Sequence, residues 1–200
     1  STPMPIRARV AGGEDIGEMP QTGFCEVDAD ARFQWSISKN AQLVYGHQTV
    51  VQDDNWRTHS TIYGKSWEGT AVGTDLERIL DQNRNLDYLQ YHAANLDGFV
   101  EQVDASVSYQ IQDERETRLR SNRRRDHQGV DVDTLGMFLR LQSPSSIGQW
   151  LYGVEYYHDW VNTFFDDYNA NGSYRSSRLQ GPVADDSSYD LFGAYLENTI

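Results

Sequence analysis

The sequence predicts an all-β fold, an antiparallel up-and-down meander of about seven strands forming part of a large transmembrane β-barrel. Three observations carry that prediction. Apolar and polar side chains alternate through several segments, turn-forming residues punctuate them, and short connections alternate with long ones. Successive side chains of a strand point to opposite faces, so such a segment has one apolar face and one wet face. A soluble antiparallel sheet shows the same pattern, and the connections decide between the two. Tight turns are expected at 38–40, 95–98 and 144–148, and long polar connections at 53–85, 117–129 and 161–188. Long structureless loops are uncommon inside compact soluble domains, whereas outer-membrane barrels pair short periplasmic turns with long extracellular loops.

Residues 1–22, with Gly12, Gly13, Gly17 and Pro20, read as a loop. The first strand, 24–35, sets Val27, Ala29, Ala31, Phe33 and Trp35 against Glu26, Asp28, Asp30, Arg32 and Gln34. The next, 42–52, is less regular, with Leu43, Tyr45 and Val51 sharing a face with His47 and Thr49. Strand 86–94 opposes Leu89, Tyr91 and Ala93 to Tyr88, Gln90 and His92. The cleanest alternation is 100–113, where Val103, Ala105, Val107, Tyr109 and Ile111 interleave with Gln102, Asp104, Ser106, Ser108, Gln110 and Gln112. Strand 130–142 places Leu135, Met137, Leu139 and Leu141 opposite Thr134, Gly136, Phe138, Arg140 and Gln142. Strand 150–160 places Trp150, Tyr152, Val154 and Tyr156 opposite Gly153, Glu155, Tyr157 and Asp159. The last, 189–200, places Phe192, Ala194 and Leu196 opposite Gly193, Tyr195 and Glu197.

The chain has 200 residues, a formal net charge of −13, one cysteine and 12% aromatic residues. No segment approaches the roughly 20 apolar residues of a membrane helix, but a barrel strand spans with about 9–11 alternating residues. Cys25 is alone, so the chain can form no internal disulfide and no cysteine-based metal site. Residues 1–10 lack the charged start, apolar run and cleavage site of a signal peptide, so an exported protein would require a longer precursor. The acidic balance argues against general nucleic-acid binding. Trp35, Phe99 and Trp150 lie beside the short turns, and Trp160, Phe164 and Phe165 lie toward the other end, as expected for aromatic belts at two membrane interfaces.

Three stretches carry a likeness to a known family: 51–62 (VQDDNWRTHSTI), 149–160 (QWLYGVEYYHDW) and 189–200 (YDLFGAYLENTI). In strand style and local phrasing, residues 23–200 resemble part of the β-barrel of a TonB-dependent outer-membrane receptor. The resemblance implies a 22-stranded barrel closed by an amino-terminal plug. It also implies outer-membrane localisation and uptake of a scarce nutrient, a ferric siderophore or haem, energised by the TonB complex acting through the plug. The chain departs from that pattern in having no TonB box, no plug and no closing aromatic carboxyl terminus. It is therefore expected to be a fragment holding about a third of the strands. A passive porin or adhesin barrel and a soluble all-β carbohydrate-binding module are the alternatives.

Candidate chemistry is confined to the long connections. Arg57 and His59 sit early in the first, where imidazole can ligate iron and guanidinium can pair with carboxylates; a solvated loop histidine is the simpler reading. Arg123, Arg124 and Arg125, with His127, form the one basic run; they suit an anionic substrate or lipopolysaccharide phosphates. A hairpin ion-pair ladder with Asp113, Glu114 and Glu116 suits them as well. The stretch 167–172 (DYNANG) imitates the opening of a calcium loop, but Arg178 stands where the closing Glu belongs, so an Asn-Gly turn is expected and no metal. No nucleophile elbow, zinc-protease motif or phosphate loop is present; no enzymatic activity and no resident cofactor is expected.

Overall fold

The structure is a computed structural model and describes residues 7–9, 15–18, 21–57, 61, 71–181 and 184–200. Strands β1 (Arg7–Arg9) and β2 (Asp15–Glu18) form a small antiparallel ladder of their own, where the sequence predicts only a loop. The main sheet runs through β3 (Cys25–Ser38), β4 (Ala41–Trp56), β5 (Asp75–Ala93), β6 (Gln102–Arg120), β7 (Arg125–Ser145) and β8 (Gly148–Tyr168). The short β9 (Tyr174–Arg178) then pairs with the far end of β8, and β10 (Ser187–Thr199) completes the path. Seven strands thus form an open antiparallel meander in sequence order, with β9 beside β8 above β10.

Two of the tight turns fall where expected, whereas the one expected at 95–98 lies within an eight-residue connection, 94–101. β3 passes to β4 through Lys39 and Asn40, and β7 to β8 through Ser146 and Ile147; Gly148 has a φ of 125° just past that turn. The strands outrun their predicted lengths at the opposite end, reaching 21 residues in β7 and β8. The expected loop at 117–129 is a hairpin, closed by Arg120 N–H donating to the Arg124 carbonyl at 2.9 Å. The reason is the ladder itself. Backbone pairing continues past the apolar stretch because the polar side chains on β6 and β7 stand opposite one another and pair, as Arg118 does with Asp126. The connections 57–74 and 169–186 remain long, the second interrupted by β9.

Register carries each face across the sheet. Phe33, Tyr45, Leu89, Val107, Met137, Tyr156 and Phe192 lie in one cross-strand row, and Trp35, Leu43, Tyr91, Ala105, Leu139, Val154 and Ala194 in the next on that face. The rows between them point the other way and hold Gln34, Gln90, Ser106, Phe138 and Glu155. The predicted faces therefore agree strand by strand. Phe165 does not follow its expected role as a belt aromatic. It lies on the polar face, 5% exposed, while Trp160 and Phe164 are on the apolar side.

Burial is inverted relative to a soluble sheet. On the apolar face Phe33 is 54% exposed, Met137 45% and Phe192 68%, while on the polar face Asp104 and Glu116 are 7% and Asp126 0% exposed. Among the described residues each strand touches only its hydrogen-bonded neighbours, so no two of these strands pack face to face as in a sandwich. Glycines on the polar face let tyrosine rings lie against the backbone. A Cβ on Gly46 would meet the Tyr88 ring at 2.1 Å, and one on Gly153 would meet the Tyr195 hydroxyl at 2.7 Å. Both pairs are direct register partners, aromatics covering glycines across the ladder.

Candidate functional site at the loop end

The loop end of β5–β9 reverses the charge of the chain. Residues 75–80, 115–128 and 164–178 hold nine arginines against six carboxylates, a local balance of +3 on a chain of −13. Its centre is a lattice of ion pairs on the polar face. Asp126, fully buried, accepts from Arg118 at 2.6 Å and from Arg120 at 2.7 Å. Its register partner Asp167 accepts from Arg124 and, at 3.4 Å, from Arg175. Arg78 pairs with Glu116 at 2.9 Å, and Gln128 donates to the same carboxylate at 2.8 Å.

Burial works against the charge on Asp126, but hydrogen bonds from Arg120, the Asp167 carboxyl and Arg118 hold its carboxyl below the ordinary range. Asp75 goes the other way. Burial pushes its carboxyl up, outweighing the pull of Arg118, Arg78 and Arg120.

The predicted site residues divide into three groups. Arg57 joins this end: its N–H donates to the Arg78 carbonyl at 2.8 Å, and it lines a cavity of about 240 Å³ with Arg78, Glu116, Gln128 and Gln180. His59 lies outside the described residues. The arginine triplet is split by the two-residue period of the strand. Arg124 turns to the polar face and pairs with Asp167 of β8 rather than with the expected Asp113, Glu114 or Glu116, whereas Arg125 and His127 belong to the opposite face. His127 stands 5.2 Å from the Phe164 ring there. Arg123 occupies the turn with a φ of 65°, and neither its guanidinium nor that of Arg125 has a partner among the described residues. The stretch 167–172 forms the β8–β9 turn, with Gly172 N–H donating to the Asn169 carbonyl at 2.9 Å; the described residues hold no cluster that suits a metal ion.

Sequence reading misses a repeated constellation on the apolar side. On β4, Tyr45 donates to Asp87 of β5 at 2.5 Å and His47 stands 2.9 Å from the same oxygen. On β8, Tyr156 and His158 stand at 2.5 and 2.7 Å from Asp190 of β10. The His–Asp pairs of both clusters occupy one cross-strand row and their tyrosines the next row on that face, and Trp160 packs edge-on against His158 at 4.2 Å. A Tyr-x-His spacing on two strands is the only local signal; the aspartates become visible once register is known. No family model, curated protein or solved structure matches the chain.

Proposed function

We propose that this chain is the barrel portion of an outer-membrane receptor whose basic loop end captures an anionic nutrient, a ferric siderophore or haem, for TonB-energised uptake. The observation that carries the reading is the inverted burial: exposed Phe33, Met137, Leu139 and Phe192 on one face, buried Asp104, Glu116 and Asp126 on the other. Each large apolar side chain left in water forgoes about 1.5–3 kcal/mol, so a continuous exposed row calls for an apolar solvent. Along β8, Trp150 and Trp160 bracket the apolar rows and stand ten residues apart. That is about 33 Å of strand, or roughly 23 Å of height at a 45° tilt, close to the height of an outer-membrane apolar band.

The basic end supplies the binding chemistry. Arg57 and the Arg123–Arg125 turn lie at the same end of the sheet, opposite the two-residue turns. Guanidinium groups match carboxylate or catecholate oxygens, and His59 in the adjoining connection adds an imidazole. The test is fractionation of cells expressing the protein, followed by whole-cell uptake of a ferric siderophore or haem under iron limitation. The expected result is an outer-membrane protein whose uptake is lost without TonB and reduced when His59 and the three arginines are changed to Ala. Steady ion conductance in planar bilayers with TonB-independent passage would assign a passive porin instead.

A further inference from the structure

A second basic cavity lies at the same end but on the other face. Leu119, Arg125, Tyr168 and Tyr174 form one cross-strand row through β6, β7, β8 and β9, on the side that carries the apolar band lower down. Arg123 from the β6–β7 turn and Asn169 from the β8–β9 turn border it, giving an open cavity of about 500 Å³. On its own face Glu77, the register partner of Leu119, and Asp166, two residues before Tyr168, stand beside the cavity, but neither lines it and neither pairs with Arg123 or Arg125 among the described residues. Asp126 and Asp167 project to the opposite face and are occupied by Arg118, Arg120, Arg124 and Arg175. Two guanidinium groups without partners among the described residues therefore share a cavity with a tyrosine ring, a leucine and an amide on a strongly acidic chain.

We infer that this cavity binds a phosphosugar. Paired guanidinium groups present forked N–H donors that match phosphate oxygens, while a sugar ring can lie on Tyr168 and Leu119 with a hydroxyl to the Asn169 amide. The backbone supports the assignment. Arg123 adopts the left-handed conformation that non-glycine residues seldom take, held by its N–H donating to the Arg120 carbonyl at 2.8 Å and by Asn122 Oδ1 accepting from Arg124 N–H at 3.0 Å. The backbone of Arg123 is thus fixed at the rim, with its exposed side chain free to reach a ligand. Because the cavity opens on the lipid-facing side above the band, the phosphosugar has two sources: a phosphorylated glycolipid of the surrounding leaflet or a soluble sugar phosphate. The site itself rests on geometry, and the glycolipid source alone depends on the membrane reading above.

The experiment uses the whole protein purified in a non-ionic detergent and titrated with glucose 6-phosphate, glucose and inorganic phosphate, read by tyrosine and tryptophan fluorescence and by calorimetry. In parallel, the protein is incorporated into phosphatidylcholine vesicles with and without lipid A, and retained lipid A is counted by mass spectrometry. The expected result is saturable binding of glucose 6-phosphate or lipid A that falls at least tenfold in R123Q/R125Q. Binding in a K39Q control, in the β3–β4 turn at the opposite end of the sheet, should remain unchanged, and glucose should show no binding. Binding of the soluble ligand without lipid A retention assigns a soluble phosphosugar, and lipid A retention assigns the glycolipid. If neither probe binds, or if R123Q/R125Q binds as well as the parent, the inference is wrong even where outer-membrane fractionation succeeds.

Discussion

Lysine placed at successive positions of β6 separates the lipid-facing reading of the apolar face from every soluble alternative. Ala105 is in register with Leu139 of β7 and through it with Val154 of β8, four residues from Trp150 and six from Trp160. At about 3.3 Å per residue and a 45° tilt, it lies roughly 9 Å from one aromatic row and 14 Å from the other, near the middle of the band. Ser106, one residue on, faces Gln90 and Phe138 across the polar face, with Glu155 in the same row. Ile111 shares the row of Asp133 and Trp160, at the rim. The expected losses on substitution by Lys are about 2–4 kcal/mol at Ala105, about 0–1 at Ile111, and within about 1 at Ser106. Reversible folding of the barrel protein into phospholipid vesicles, followed by tryptophan fluorescence across a urea series, measures all three. Equal losses at Ala105 and Ser106, or a larger loss at Ser106, would refute the assignment of faces and with it the membrane argument.

The remaining predictions address packing, charge and orientation. Gly46→Val forces a branched side chain into the Tyr88 ring and should cost about 1–3 kcal/mol, most of it recovered in the double variant with Tyr88→Ala; non-recovery in the same urea series removes the glycine–tyrosine contact as the cause. Asp126→Asn leaves Arg118 and Arg120 without their shared carboxylate and should cost about 3–5 kcal/mol at neutral pH, whereas Asp75→Asn should be neutral or stabilising there. Urea midpoints across pH carry matching signs. The Asp126 contribution, from a lowered carboxyl, is present above about pH 3.9 and lost as acid passes through its lower folded value; the Asp75 contribution is present below about pH 3.9 and lost as pH rises through its raised value. Cys25 is exposed at the loop end of β3, opposite Asp53, so a membrane-impermeant maleimide should label it in intact cells. With Cys25→Ser, a cysteine at Ile147 in the β7–β8 turn should be labelled only after the outer membrane is opened.

What the sequence reveals, and what it hides, follows from the range of each signal. The faces of all seven main strands are legible because side-chain alternation is local and every second residue reports on the same environment. Strand ends beyond the apolar band are not, since Arg118, Arg120, Asp126 and Asp167 have loop-like composition yet complete the ladder by pairing across it. The same limit explains the arginine triplet. Read as a run it is one basic patch, but the turn at Arg123 and the strand start at Arg125 send its members to two faces with different neighbours. The Tyr-His-Asp clusters are hidden for a related reason, since Asp87 and Asp190 stand about 30–40 residues from the histidines they meet and only the meander brings them together.

The polar face also bears on why one layer of strands suffices. A soluble domain stabilises a sheet by packing a second layer on its apolar face, which here no described strand does. The polar face meanwhile meets its own needs within the layer. Asp104 takes hydrogen bonds from Arg140 and stands 2.7 Å from His92, Arg84 donates to Gln110 at 2.7 Å, and Gln82 donates to Glu114 at 2.6 Å, each across one ladder. Cross-strand pairs of this kind contribute only about 0.2–1 kcal/mol each, too little to hold an open sheet in water with its aromatic rows exposed. On the membrane reading proposed above, lipid against the apolar face would remove that cost without a second protein layer, and closure with further strands would remove the free edges of β3 and β10. On that proposal the sheet would have an apolar solvent outside and a hydrated, charged interior, with the arginines of the loop end where that interior opens.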